Sequence, residues 1–193
     1  MKSSMILITL ITTFLMCINC TQQDKAFDQE LSICKEIESR MPLTDEDRSE
    51  CIECYKKLIL EFPKEIKAYE WLALSYINNN NCDSALAVLN EGLKIESQNF
   101  GLLYQKSLVK NSLGLDPNDS DIQMIEKLAS DRALNEKKYD WCQDVAFLYG
   151  SLFGLKESKK YIHNLPIPKE SKSQLEKTVT EAFSGNVHKY CGE

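Results

Sequence analysis

Eight cysteines stand in this chain of 193 residues, and they are the side chains best able to do covalent chemistry. Cys51-Ile52-Glu53-Cys54 has the C-x-x-C spacing of redox dithiols and of half a zinc site. Redox work needs a thiolate of lowered pKa, normally supplied at a helix N-terminus that follows a β-strand. Here Ser49-Glu50 precede the pair and Glu53 lies inside it, so the nearby carboxylates hold the thiols in their neutral form, and no strand-like run comes before. A second C-x-x-C is missing, and His163 and His188 lie far apart, which leaves a zinc site short of ligands. Structural bridging is the stronger reading. A thiol-redox or metal-binding protein working through Cys51 and Cys54 is the alternative.

The bridge can be argued from geometry. If residues 27–60 form a helical hairpin turning near Pro42 and Leu43, residues whose numbers sum to about 85 face each other. Cys34 and Cys51 satisfy this, since 34 + 51 = 85. The spacing therefore predicts a Cys34–Cys51 disulfide, with Cys34–Cys54, one turn further along the same face, as the alternative. A pairing of Cys191 with Cys142 is a weaker suggestion.

Cys20 calls for different chemistry. Lys2 gives a positive start, Met5 to Ile18 form an apolar run short for a permanent span, and Asn19-Cys20 is followed at once by Thr21-Gln22-Gln23-Asp24-Lys25. A cysteine at such a junction resembles a bacterial lipoprotein signal, in which it becomes the lipid-bearing first residue; Asn19 and Cys17 depart from the residue types usual before it. An ordinary cleaved signal peptide or an uncleaved anchor is the alternative. The resemblance implies acyl chains such as palmitate on Cys20, each buried methylene adding about 0.8 kcal/mol to anchoring. Gln22-Gln23-Asp24 is similar to the short acidic export tags of some surface lipoproteins, and equally to a plain tether. The chain thus divides into a signal peptide over 1–19, a lipidated tether over 20–26 and a folded domain over 27–193. The expected location is a bacterial cell envelope, tethered to a membrane and facing the periplasm or the cell surface.

Charge narrows the partners. The formal charge is −6, and removing the one lysine of residues 1–19 takes it to −7. An acidic surface argues against nucleic-acid binding, which needs a basic stripe. The residue patterns call for no cofactor and no small-molecule substrate. With 7 Gly, 5 Pro and short β-branched runs, the chain reads as all-α.

The elements that must position any site follow from periodicity. Phe27, Leu31, Cys34 and Ile37 share one helical face over 27–40, and Thr44 with Asp47 offers a capping box for the next helix. Tyr69, Leu72, Ala73 and Tyr76 share another face, as do Ala85, Leu89, Gly92 and Leu93, with an Asn-rich turn between. Asn80 stands where a left-handed turn residue is wanted, and Asp83 or Ser84 is expected to cap the following helix. Cys51 and Ala85, Tyr55 and Leu89, Leu58 and Gly92, and Pro63 and Ser97 are each 34 apart. A later first helix begins at Phe100, with Leu103, Ser107 and Gly114 in register and Lys106 where a leucine belongs, a departure read as a shifted or more exposed repeat. Trp141 to Phe153 reads as a buried helix, and Lys169 to Phe183 as a final amphipathic one.

These slots resemble the tetratricopeptide repeat, most closely over Cys51 to Gly114. The resemblance implies antiparallel helical hairpins stacked as a short solenoid with a C-terminal capping helix. It also implies a groove lined by the first helices of each hairpin. Carried over slot by slot, that groove presents Lys67, Glu70, Leu74, Ile77 and Asn78 from one repeat and Tyr104, Leu108 and Asn111 from the next. Glu70 and Leu74 do not suit a clamp for a peptide's terminal carboxylate, so a mixed apolar and polar grip on a protein or peptide is expected. Leu74, Ile77 and Leu108 could equally complete packing between repeats, and Trp71 and Trp141 are read as packing. The expected function is a membrane-anchored, non-enzymatic interaction module, in an envelope assembly.

Overall fold

Apolar residues recurring at three and four positions leave the chain helices as its way to bury them. The computed structural model describes residues 22–40, 44–115 and 119–184, and among these the fold is all-α, with nine helices and no strand. Among the described residues no helix is long and apolar enough to cross a membrane. The signal, Cys20 and Cys191 lie outside the described residues. Two compact units divide the chain at Ala68 and Tyr69.

The first unit is built on α1, residues 22–38, and α2, Asp45–Glu61. Phe27, Leu31, Cys34 and Ile37 are buried on α1, as their shared face requires, and Cys51, Tyr55 and Leu58 are buried on α2. Phe27 meets Phe62 edge-on with ring centroids 5.6 Å apart, and the Tyr55 hydroxyl donates to Glu38 at 3.1 Å. Residues 22–26, expected as part of the tether, lie in α1. Thr44 forms the expected capping box: its hydroxyl accepts from the Asp47 N–H, and the Asp47 carboxylate accepts from the Thr44 N–H. The Thr44 hydroxyl, which also donates to the Asp47 carboxylate at 2.6 Å, then the Thr44 N–H and Arg40 at 3.2 Å, hold the Asp47 carboxyl below its ordinary pKa.

The bridge joins Cys34 to Cys54, not to Cys51. A sum of 34 + 54 = 88 centres the hairpin on Thr44, the cap of α2, rather than on residues 42–43. Facing pairs are therefore shifted by about one turn of α2 from those of a hairpin centred on residues 42–43. Cys51 keeps a buried thiol. Cys82 is also disulfide-bonded.

The second unit comprises the rest of α3, Ile66–Asn78, then α4, Cys82–Ile95, α5, Phe100–Ser112, α6, Asp119–Glu136, α7, Asp140–Phe153, α8, Leu155–Asn164, and α9, Lys169–Ser184. The period of 34 reappears in the backbone: α3 and α5 begin at 66 and 100 and end at 78 and 112. Asn80 and Gly114, also 34 apart, both have positive φ, at 55° and 68°. Each closes its helix in a Schellman motif, Asn81 N–H to Tyr76 O and Leu115 N–H to Lys110 O, both at 2.9 Å. Helices α2 and α4 likewise end 34 apart, with Phe62 N–H on Leu58 O and Glu96 N–H on Gly92 O. The cap of α4 is Asn81, whose side chain accepts from Ser84 N–H, and not Asp83 or Ser84. Asn81 already ends the preceding motif, so the turn is two or three residues shorter than a cap at Asp83 or Ser84 would make it.

Small residues sit where helices approach closely. Ala73, Ala85 and Ser107 are buried, and a Cβ on Gly92 would stand 2.8 Å from Leu102 Cδ1 and 3.1 Å from Tyr69 Cβ. Lys106 proves neither shifted nor more exposed. Its side chain is 15% exposed and its ammonium lies 2.9 Å from Asp121 on α6, with Lys110 at 3.8 Å from the same oxygen. Helix α7 is the centre of this unit, packing on α5, α6, α8 and α9. Cys142 on it is a buried thiol that donates to Ala129 O at 3.6 Å, so the suggested bridge to Cys191 is not formed. Val145, Ala146 and Leu148 fill the core beside it, and α9 covers it with Leu175 and Val179.

Candidate functional site

One cleft of about 620 Å³ opens in the second unit, and its walls repeat the 34-residue spacing. From α3 come Glu70, Leu74 and Ile77, at offsets of four and seven, which is one helical face. From α5 come Phe100, Gly101, Tyr104, Gln105 and Leu108 on the matching face, so Glu70 pairs with Tyr104 and Leu74 with Leu108 across the period. Leu128 on α6 and Trp141 and Asp144 on α7 complete the floor, and Glu96, Gln98 and Asn99 of the α4–α5 connector form part of the rim.

Five of the eight residues expected in a groove meet here: Glu70, Leu74, Ile77, Tyr104 and Leu108. Asn78 and Asn111 are exposed and do not line it. Lys67 is exposed too and belongs to the first unit. Ile77 and Leu108 are 5% and 4% exposed, so they serve mainly as packing, while Leu74 and Tyr104 keep more surface.

The cleft is preformed by an aromatic stack. Phe100 lies flat on Trp141, with centroids 4.4 Å apart and planes within 2°, and Tyr104, one turn along α5, stacks on Phe100 at 6.1 Å. The Arg132 guanidinium packs over the Trp141 ring at 4.2 Å and is held by Asp140 at 3.2 Å and Glu136 at 3.6 Å. Phe100 is placed by its position directly after Asn99, whose side chain caps α5 through the Leu102 N–H. Gly101 lets the Glu70 carboxylate come close: a Cβ there would push that flexible side-chain end aside. That carboxylate consequently rests against the first turn of α5, where the helix N-terminus favours negative charge.

Asp144 is different. It is half-buried and, among the described residues, has no hydrogen bond and no ion pair within 4 Å. Burial and the neighbouring Asp140 push its carboxyl up from the ordinary value, and Arg132 opposes them only in part. Gln105 Oε1 is likewise buried without a hydrogen-bond donor. Three carboxylates line the cleft, and no Lys, Arg or His does.

Periodicity along α3 and α5 was enough to find the cleft's first two walls. Phe100, Trp141, Asp144 and Gln105 were missed as site residues. The signal for Phe100 was its i, i+4 spacing to Tyr104; α7 carries no 34-residue register that could have placed Trp141 and Asp144 beside them.

A second polar cluster, around Cys142, is sealed. Tyr161 stacks on Tyr149 at 5.1 Å, the Tyr149 hydroxyl donates to Glu126 in a very short bond, and burial pushes the Cys142 thiol and both phenols up. A thiol held neutral and out of contact with solvent is not a nucleophile. The C-x-x-C is divided, Cys54 in a bridge with Cys34 and Cys51 a buried thiol. Among the described residues no cluster of His, Cys, Asp and Glu is fit to hold a metal ion.

No family model matches the chain, and neither the curated proteins nor the solved structures contain a match to it.

Proposed function

We propose that this chain is an exported, lipid-anchored interaction module of a bacterial envelope, built on tetratricopeptide-like hairpins, that acts without catalysis by holding a protein or peptide in the cleft between α3, α5 and α7. One observation carries the reading: residues 34 apart, Glu70 with Tyr104 and Leu74 with Leu108, line a single preformed cleft. A concave site with apolar walls and a few polar groups suits an extended or helical segment. The anchor rests on the sequence around Cys20. The thiol-redox alternative draws little support, because the two cysteines of the C-x-x-C are not each other's partners.

Purified wild-type protein should capture its partner from detergent-solubilised envelopes. Tyr104→Ala and Leu74→Glu should each lower capture at least tenfold while circular dichroism stays unchanged. Capture at wild-type level by both variants removes the cleft from the function. Incorporation of a clickable palmitate analogue, abolished by Cys20→Ser, tests the anchor separately.

A further inference from the structure

The chemistry of the cleft selects one kind of occupant. Its charged groups are all carboxylates, Glu70, Glu96 and Asp144, and the Gln105 Oε1 beside them lacks a donor. Glu70 is settled against the first turn of α5, and Glu96 accepts from Asn99 Nδ2 at 3.4 Å. Asp144 has nothing equivalent, although it is half-buried and lines the same cleft as the Phe100, Trp141 and Tyr104 stack. The nearest cation, Arg132, is already engaged by Asp140 and Glu136 and lies over Trp141. A half-buried carboxylate beside aromatic rings is stabilised by a cation with N–H donors and an apolar stem.

We infer that the cleft recognises a basic peptide segment, one whose Lys or Arg side chain lies along Tyr104 and Trp141, held in place by the buried Phe100 between them, and ends at Asp144, with Glu70 and Glu96 attracting the flanking positive charge. This rests on the cleft being the partner site and adds the partner's charge and anchor residue. Leu74, the half-buried Glu70 and the exposed Glu96 leave room for an extended chain on either side of the anchor. A peptide ending in a carboxylate anchor is disfavoured, because no lining residue is cationic and Asp144 repels it.

The test uses the full chain and three fluorescein-labelled twelve-residue peptides of one apolar pattern, with Lys and Arg, Ser, or Glu at the polar positions. Fluorescence anisotropy should show the basic peptide binding at least tenfold more tightly than the Ser peptide, with no binding of the Glu peptide. Asp144→Asn, which is nearly isosteric, should cost the basic peptide roughly tenfold, and raising the salt to about 0.3 M should weaken it several-fold. Glu181→Gln, an acid on α9 outside the cleft, should leave it within twofold. If the Ser or Glu peptide binds as well and Tyr104→Ala still abolishes it, the basic specificity is overturned while the cleft stands as the partner site. Equal loss with Glu181→Gln and Asp144→Asn reduces the effect to net charge and overturns the anchor. Agmatine competing as well as the basic peptide, mole for mole, makes the occupant a small cation and overturns the peptide. Absence of binding by all three peptides overturns this inference together with the cleft reading it depends on.

Discussion

A half-buried carboxylate with no ion pair weakens the fold at neutral pH, and Asp144 is such a group. Its carboxyl is raised in the folded chain, first by burial and then by Asp140, so the native state holds this proton to higher pH than the unfolded chain does. The stability linked to it is complete below the unfolded value and is lost as pH rises through the folded one. Asp144→Asn should therefore raise the melting temperature at neutral pH, and the difference should shrink towards about pH 4; a melting series by circular dichroism reads both. An equal or lower melting temperature for the variant at neutral pH would mean that Asp144 has a stabilising partner. At this scale the sequence was legible where periodicity puts a side chain on a face, as for Glu70 and Leu74. It was silent on Asp144, because the absence of a partner is a property of the surroundings and not of spacing.

Helix ends are where local chemistry and tertiary demand agree in this chain. Thr44 with Asp47, and Asn80 in the left-handed region, were readable because caps and turns depend on a few neighbouring residues. Asn81 and the Cys34–Cys54 pairing were not, because each depends on the register in which two helices face each other. Asn80→Gly should leave stability within a few tenths of a kcal/mol, whereas Asn80→Val should cost about 1–2 kcal/mol, since a β-branched residue is strained at φ 55°. Urea denaturation of both variants measures the difference, and equal stabilities would show that the turn rearranges. Lys106 makes the complementary point: a charge in an apolar slot is accommodated when the next helix brings a carboxylate, here Asp121, to within 2.9 Å. No repeat pattern contains that information, because Asp121 follows a connector whose length breaks the register.

For the molecule as a whole, all-helical architecture was plain from composition and periodicity, and the period of 34 survives from side-chain pattern into backbone hydrogen bonds. It fades beyond Gly114, where α6 runs to 18 residues and α7 gathers its neighbours by burial alone. The cysteines give a direct check. Alkylation in denaturant without reductant should label Cys51 and Cys142, and leave the peptides of Cys34 and Cys54 joined in a digest read by mass spectrometry. Because the bridge spans 20 residues, Cys34→Ser should cost about 3 kcal/mol, read as lost hydrogen-exchange protection in α1 and α2. Labelling of Cys54 in the intact chain would overturn the assignment. The matched helix ends also bear on how such a chain can lengthen. Phe62 and Glu96 leave their helices at φ −129° and −131°, and the hydrogen bonds that follow, Glu65 N–H to Phe62 O and Asn99 N–H to Glu96 O, are the same closure. Residues 66–99 are thus bounded by interchangeable joints, and a tandem duplication of that segment would enter and leave on backbone the protein already uses, adding a hairpin without inventing a junction.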